Sequence, residues 1–141
     1  MEKIAVAVTV TSKQRAKSGE RHSFKVQADG HLYQKGDALY LNYREGDEAG
    51  LGSTSTTIRV EGRTATLIRQ GETVMRQVLV KGEEQHGSYQ TPHGTFELTT
   101  RTSHLVTALK MDGGFLEATY NLRLGGEKSR MDLRVDVRPR A

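Results

Sequence analysis

Histidine has the widest chemical range of the residues in this chain, because its imidazole can bind a metal ion or transfer a proton near neutral pH. The 141-residue sequence contains five, which are His22, His31, His86, His93 and His104. None stands in an H-x-x-H or H-E-x-x-H pattern. No two are spaced i and i+2, as a metal site on one face of a strand would need. We therefore expect no metal site, and we assign no cofactor.

Nucleophilic catalysis has no stronger support. Ser88 lies near His86 and His93 in the sequence, but the chain has no G-x-S-x-G motif that would present a serine on a sharp turn. The string Gly50-Leu51-Gly52-Ser53 resembles part of a phosphate-binding loop, yet it lacks the lysine and the following helix of such a loop. We assign no catalytic residue, and an enzyme is the least favoured class of function.

The composition restricts the class of protein. The 21 basic and 17 acidic residues give a net charge of +4, and the absence of cysteine excludes disulfides, thiolate metal sites and a cysteine nucleophile. No apolar run approaches the roughly 18 residues of a membrane span, and a strand pattern from Lys3 onward leaves no room for a signal peptide. We expect a single domain over residues 1–141, located in the cytoplasm, without a membrane partner.

A period of two, typical of β-strands, organises the chain. Ile4, Val6, Val8 and Val10 alternate with smaller or polar residues, and the same pattern recurs along the sequence between glycines at hairpin-like intervals. Strands are predicted near residues 3–12, 21–29, 31–35, 38–45, 54–61, 64–70, 73–81, 86–91, 94–103, 105–111, 115–124 and 127–138, some of which are expected to merge. The segment 46–53 is predicted to be the one true loop.

Tight turns between consecutive strands predict an antiparallel, mostly up-and-down meander. With no helical layer to cover a second face, the sheet is expected to close, because closure removes exposed strand edges. One turn is well marked, since Pro92 fixes its own φ and Gly94 takes a positive φ at little cost. The sequence therefore predicts an all-β fold, a single closed antiparallel β-barrel with less than about a tenth helix.

A series of short motifs resembles the uncharacterised YwiB-like family of bacterial proteins. In order along the chain, the motifs are Tyr33-x-Lys35, Leu39-Tyr40-Leu41-x-Tyr43-x-Glu45, Arg69-x-Gly71, Met75-x-Gln77-x-Leu79, Gly82 and Tyr89-x-Thr91-Pro92-x-Gly94, followed by Leu98, Thr100 and Thr102. The resemblance implies a calycin-like (lipocalin-type) β-barrel whose first and last strands lie near one another, and it lends no catalytic residue. The basic segment from Lys13 to Arg21, which we predict to be a loop, departs from the family.

Some polar residues are predicted to face the barrel interior, because side chains of one parity on a strand share a face. Apolar residues two positions away, such as Met75 and Leu98, would carry them inward. The candidate ligand-binding residues are Arg69, Gln77, Tyr89, Thr100 and Thr102. An eight-stranded barrel is either filled by its side chains or holds one small ligand. These residues therefore form either a ligand site or an internal network satisfied by protein groups or buried water.

Two functions remain open. The first is a module that binds a small, partly apolar ligand through the open mouth of the barrel. Aromatic candidates for its wall are Tyr33, Tyr40, Tyr43, Phe96 and Tyr120. The alternative is an interaction protein whose basic surface patch binds an acidic macromolecule such as RNA. Its candidates are Lys13, Arg15, Lys17, Arg21, Lys128, Arg130, Arg134 and Arg138. We favour an ordinary solvated face there over nucleic-acid binding, since Asp132 and Asp136 would neutralise much of the charge.

Overall fold

The computed structural model describes residues 2–45 and 54–140, which contain ten β-strands and no helix. The strands are β1 (Lys3–Ala16), β2 (Arg21–Lys35), β3 (Ala38–Glu45), β4 (Thr54–Glu61), β5 (Thr64–Gly71), β6 (Val74–Val80), β7 (Glu84–Thr91), β8 (Gly94–Lys110), β9 (Gly113–Leu124) and β10 (Glu127–Pro139). Within the described residues there is thus no helix long and apolar enough to cross a membrane. The all-β prediction is confirmed.

The sheet closes on itself in the order β1-β10-β9-β8-β7-β6-β5-β4-β3-β2. Closure comes from the antiparallel pairing of β1 with β10, which places Val10 opposite Val135 and Val6 opposite Pro139. Because each of these ten strands then has a neighbour on both sides, most backbone N–H and C=O groups of the sheet are protected from pairing with another chain, and the exception is the incomplete ladder between β6 and β7. The predicted closed, up-and-down antiparallel barrel with adjacent terminal strands is confirmed.

Apolar side chains at alternate positions form a core inside the barrel. On β4, Ile58 and Val60 point inward and are buried, while Arg59 between them stays on the outer face. The largest fully buried apolar side chains are Leu32, Leu41, Ile58, Leu79, Leu98 and Leu116. Burying a side chain of this size contributes about 1.5–3 kcal/mol to folding, so this single core supplies much of the force that closes the sheet.

The strand break expected at Gly30 does not exist, because Gly30 lies within the continuous strand β2. It stands opposite Tyr43 of β3, and a Cβ added there would overlap the backbone carbonyl of Asn42. The missing side chain therefore permits a close approach of the two strands instead of a turn.

The second expected break, near Ser103, is a β-bulge within the long strand β8. The register of β8 against β9 shifts between Thr102 and His104. A bulge inserts one extra residue and so reverses the parity of the positions that follow. Thr102 and Leu109 are consequently both buried, although strict alternation would place them on opposite faces.

The prediction of a basic loop from Lys13 to Arg21 was wrong, because most of this segment is strand. β1 continues to Ala16, paired with β10 on one side and β2 on the other. Only residues 17–20 form the turn, which a 2.8 Å hydrogen bond from the Ala16 N–H to the Glu20 carbonyl closes. The loop expected at 46–53 lies outside the described residues.

The turn at Pro92 has the expected form. Thr91 of β7 pairs with Gly94 of β8, and the φ angle of Gly94 is 141°. The Thr91 hydroxyl accepts a hydrogen bond from the His93 N–H at 3.1 Å and donates one to the Gly94 carbonyl at 3.2 Å. The predicted positive φ of Gly94 is confirmed, and the threonine braces the turn from within.

Candidate functional site

Two polar side chains meet inside the barrel. Gln77 on β6 and Thr100 on β8 are 3% and 1% exposed, and the Gln77 Nε2 group donates a 3.0 Å hydrogen bond to the Thr100 hydroxyl. Buried Met75 and Leu98 stand two positions away on the same strands, as the parity argument required. The predicted inward position of both residues is confirmed.

Tyr120 of β9 belongs to the same interior cluster. Its side chain is buried, and burial raises the pKa of Tyr120 because a phenolate would lose its hydration. The positive charge of Arg69 and a hydrogen bond with Gln77 lower that pKa, but their effect is smaller. The phenol therefore remains neutral near pH 7 and keeps an O–H group that can donate a hydrogen bond.

Arg69 of β5 brings a positive charge to this interior. It lies opposite Thr56 on β4 and Met75 on β6, both of which are buried. Its Nη1 group contacts the Met75 sulfur at 3.6 Å, and its Nε atom is buried without an acceptor. Across residues 2–44 and 54–140, no carboxylate forms an ion pair with its guanidinium. Arg69 is thus a half-buried cation without an anionic partner among the described residues.

Thr102 supplies a second polar atom without a hydrogen-bond partner among the residues that the structure describes. Its side chain is 1% exposed, and its Oγ1 atom is buried with no hydrogen bond to the described residues. The backbone of Thr102 is fixed by the turn between β6 and β7. Its carbonyl accepts a 2.7 Å bond from the Gly82 N–H, and its own N–H donates a 3.3 Å bond to the Glu83 carbonyl. Thr102 is the cross-strand partner of Tyr120, so its hydroxyl and the phenol share the interior face.

The structure places all five candidate ligand-binding residues at inward positions, but it does not bring all of them together. Arg69, Gln77 and Thr102 lie beside Tyr120, and Thr100 joins them through its hydrogen bond with Gln77. Tyr89 is half-buried on β7 and packs against the core beside Met75, its cross-strand partner. The role of the five residues in binding stays a prediction.

The barrel interior also contains polar residues that were not predicted from the sequence. Thr54 and Thr56 of β4 are 0% exposed, and both share parity with the buried Ile58. The alternation along β4 could therefore have predicted that Thr54 and Thr56 face the interior. Tyr120 was selected as an aromatic wall residue, but its hydroxyl is what links it to the polar cluster.

Only two of the five aromatic wall candidates are buried. Tyr43 and Tyr120 are 3% and 4% exposed. The prediction was wrong for Tyr33 and Tyr40, whose rings stack 5.1 Å apart on the outer face, where the Tyr40 hydroxyl accepts a hydrogen bond from Arg59. Tyr40 alternates with inward-facing Leu39 and Leu41, so parity alone would have placed it outside.

Phe96 was also a wrong choice for the interior wall. Its side chain is 39% exposed, although it shares parity with buried Leu98. Phe96 lies next to the turn between β9 and β10, where its ring would contact a Cβ added at Gly125. Phe96 lies beyond the end of the closed core, so its side chain is exposed to solvent even though it has the same parity as the inward-facing residues.

The histidines and Ser88 do not form a reactive centre. Three histidines each lie near one carboxylate on the surface: His22 near Glu20, His86 near Glu97 and His104 near Glu117. In the part of the chain that the structure describes, no group of three or more His, Cys, Asp or Glu side chains is placed so that it could hold a metal ion. Ser88 is exposed on β7 at a position of outward parity.

Comparisons with known proteins support the same fold. A family model described as a domain of unknown function (DUF1934) matches residues 8–135. The uncharacterized beta-barrel protein YwiB of Bacillus subtilis is 26% identical over 113 residues, which are 80% of this chain and 78% of that protein. The crystal structure of the ywiB protein from Bacillus subtilis matches with a TM-score of 0.81 at 24% identity, covering 95% of this chain and 92% of that one. The resemblance drawn from the motifs is confirmed.

Proposed function

Because the chain belongs to the DUF1934 family of domains of unknown function, we propose a function from the geometry of its interior. The barrel binds a small, partly apolar molecule that carries a carboxylate. The carboxylate pairs with Arg69, and the apolar part lies against the core. The cytoplasmic location expected from the sequence stays a prediction.

The observation that supports this proposal is the charge of Arg69, which no carboxylate in residues 2–44 or 54–140 neutralises. A guanidinium keeps its proton in proteins, and removing it from water costs several kcal/mol unless an anion or hydrogen-bond acceptors replace the lost hydration. The contact with the Met75 sulfur is a poor replacement, since a thioether is a weak acceptor. A ligand carboxylate would accept bonds from Nε and a terminal nitrogen at the same time, in the bidentate geometry that makes such pairs strong.

The groups around Arg69 suit the rest of such a ligand. Tyr120 is a neutral phenol, and Thr102 has a hydroxyl with no protein partner among the described residues, so both can donate to the second carboxylate oxygen. Leu67, on the same strand as Arg69, and Leu79, on the neighbouring β6, are buried and offer apolar contact. A barrel of ten strands is also wider than the eight-stranded barrel assumed from the sequence, since diameter grows with strand number.

Access to the site is possible from one end of the barrel. Arg69 stands two residues before Gly71, the last residue of β5, and its side chain remains partly exposed. A ligand can therefore reach the guanidinium without opening the sheet. Water entering by the same route is the competing explanation, because one or two ordered molecules could satisfy Nε and the Thr102 hydroxyl.

Thermal unfolding with a matched pair of probes separates these explanations. Octanoate carries a carboxylate on an apolar chain, and octanol has the same chain without the charge. We expect octanoate at millimolar concentration to raise the Tm of the wild-type protein and octanol to raise it much less, because a ligand that binds only the folded state stabilises it. The shift should disappear in Arg69→Met.

The control variant is Arg63→Met, which removes an equal charge from an exposed turn between β4 and β5. It should keep the full octanoate shift. Equal shifts with octanol and octanoate, or an octanoate shift that survives in Arg69→Met, would contradict the proposal. A wild-type protein that does not respond to octanoate, while Arg69→Met changes only its stability, would favour a water-filled interior.

A further inference from the structure

A second concave surface is lined mainly by outward-facing residues and by none of Arg69, Gln77, Thr100, Thr102 and Tyr120. It is a hollow of about 520 Å³ lined by residues of β1, β10, β9, β8 and β7, and an adjoining hollow of about 410 Å³ shares Arg15 and Arg130 with it. Eight cationic side chains line the two hollows: Lys13, Arg15, Lys17, Arg21, Arg101, Arg123, Lys128 and Arg130. We call this surface the basic groove.

The register of the sheet aligns four of the arginines in one row across the strands. Arg21 of β2 lies opposite Arg15 of β1, and Arg15 lies opposite Arg130 of β10. Arg130 faces Asn121 of β9, which in turn faces Arg101 of β8. Neighbouring strands are about 4.8 Å apart, so the row extends over roughly 19 Å.

A second row runs beside the first. Lys17 lies next to Lys128, since its N–H donates a 3.3 Å bond to the Lys128 carbonyl. Lys128 faces Arg123 of β9, and Arg123 faces Thr99 of β8. Positions two residues apart along a strand are separated by about 6.6 Å, so the rows present a two-dimensional array of positive charge.

None of the eight cations forms an ion pair with a carboxylate of the described residues. Two carboxylates also line the hollows, Glu84 opposite Arg101 and Asp132 opposite Lys13, but neither forms an ion pair with a cation of the groove. The Asp132 carboxylate accepts a 2.8 Å hydrogen bond from the Thr119 hydroxyl, and Asp136 pairs with Arg134. Directly opposed like charges on neighbouring strands are destabilising, so the groove keeps an unfavourable arrangement that a bound anion would relieve.

Arginines elsewhere on the outer face provide the contrast. Arg59 pairs with Glu61, and Arg140 lies 3.5 Å from Asp29. Arg134 pairs with both Glu117 and Asp136, so its place in the predicted basic patch was wrong. Arg138 was also wrongly included, because it lies eight residues from Arg130 on β10, about 26 Å away along the strand.

We propose that the basic groove binds the phosphodiester backbone of double-helical nucleic acid. A small anion would contact two or three of the cations, whereas an extended polyanion can neutralise both rows. Five of the eight are arginines, whose guanidinium forks match phosphate oxygens in bidentate geometry. No Phe, Tyr or Trp side chain lines either hollow, and the single imidazole of His22 is a small ring, so the groove offers little stacking surface for a run of unpaired bases. It contacts the backbone and reads no sequence.

Fluorescence anisotropy with a labelled 20-base-pair DNA duplex tests the proposal, with an RNA duplex of the same sequence in parallel. Affinity should be micromolar or better at 50 mM salt and should fall steeply with salt concentration. For six phosphate contacts, log K should decrease with log [salt] with a slope of about −5. A single strand of the same length should bind more weakly.

The test variant is the double substitution Arg101→Gln with Arg123→Gln, on β8 and β9. It should weaken duplex binding at least tenfold at 100 mM salt and reduce the salt slope by about 2, one unit for each lost contact. The control is Arg63→Gln with Arg138→Gln, which removes the same charge from exposed positions outside the groove. The control should bind the duplex like the wild-type protein, and the Tm of both variants verifies folding.

Three outcomes would overturn the proposal. The first is no duplex binding below 100 μM at 50 mM salt. The second is an equal loss of affinity in the control variant, which would indicate net charge alone. The third is tighter binding to poly-L-glutamate, or to vesicles containing 30% phosphatidylglycerol, than to the duplex, which would identify an acidic protein or an anionic membrane as the partner.

Discussion

Gln77 and Thr100 are joined by a side-chain hydrogen bond of 3.0 Å inside the barrel, although β7 separates their strands in the order of the sheet. Their approach is possible because β7 pairs with β6 only from Val74 to Arg76, after which the strands diverge. The turn between β6 and β7 bonds instead to Thr102 of β8. The buried amide therefore ties together a part of the barrel where the regular ladder is incomplete.

This bond predicts the effect of Gln77→Leu on stability. The substitution removes the donor to Thr100 and leaves a buried hydroxyl without its partner, so we expect a loss of about 1–3 kcal/mol. Urea unfolding at pH 7 measures it. In a double-mutant cycle with Thr100→Val, the two losses should not add, because the variants break the same bond. Additive losses, or a loss near zero, would show that the bond does not stabilise the barrel.

Tyr120 predicts a decrease in stability at alkaline pH. Burial raises its folded-state pKa, so its contribution is fully present below the ordinary tyrosine pKa of about 10 and is lost as pH rises through the folded-state pKa. Above about pH 10 the unfolded chain releases the phenol proton more readily than the folded chain. Tyr120→Phe should therefore lose less stability between pH 9 and 11 than the wild-type protein. Parallel urea curves for both proteins across this range would contradict the assignment.

Adding a side chain at Gly94 and at Gly87 should reduce the stability of the protein for two different reasons. Gly94 has a positive φ and open space around it, so Gly94→Val should cost about 1–3 kcal/mol through backbone strain. Gly87 has no positive φ, but a Cβ there would overlap the Arg76 carbonyl, so Gly87→Ala should cost at least as much by forcing β6 and β7 apart. Amide exchange separates the two effects, since only Gly87→Ala should loosen the pairing near Arg76. A neutral Gly94→Val would refute the strain argument.

Glu117, on the surface of the barrel, should contribute to folding stability near neutral pH and lose this contribution at acid pH. Hydrogen bonds from His104 at 3.0 Å and Arg134 at 2.9 Å lower the pKa of its carboxyl. A lowered pKa contributes stability above the unfolded-state value and loses it as pH falls through the folded-state value. The Tm difference between wild type and Glu117→Gln should therefore shrink between pH 6 and pH 3. An unchanged difference over this range would show that the carboxylate contributes nothing through its charge.

The sequence by itself determined the strands, their closure and the inward face of most of them. Alternation places Gln77 and Thr100 inside because each follows the parity of a buried neighbour, and this is a property of one strand that needs no partner. The same rule, applied to Tyr40 between Leu39 and Leu41, would have removed it from the interior wall. The Pro92 and Gly94 turn was equally local, since it depends on the backbone preferences of two residues.

Only the tertiary structure decided which side chains meet. Local parity cannot reveal the bulge at Thr102, the divergence of β6 from β7, or the lack of an ion-pair partner for Arg69 among the described residues. It also could not add Arg101 and Arg123 to the cations of the terminal strands, because they lie on other strands and enter the same row only through the cross-strand register. Register in a closed barrel is set by strand tilt and stagger over the whole sheet. Both proposed binding surfaces therefore depend on long-range pairing that no single segment of the sequence encodes.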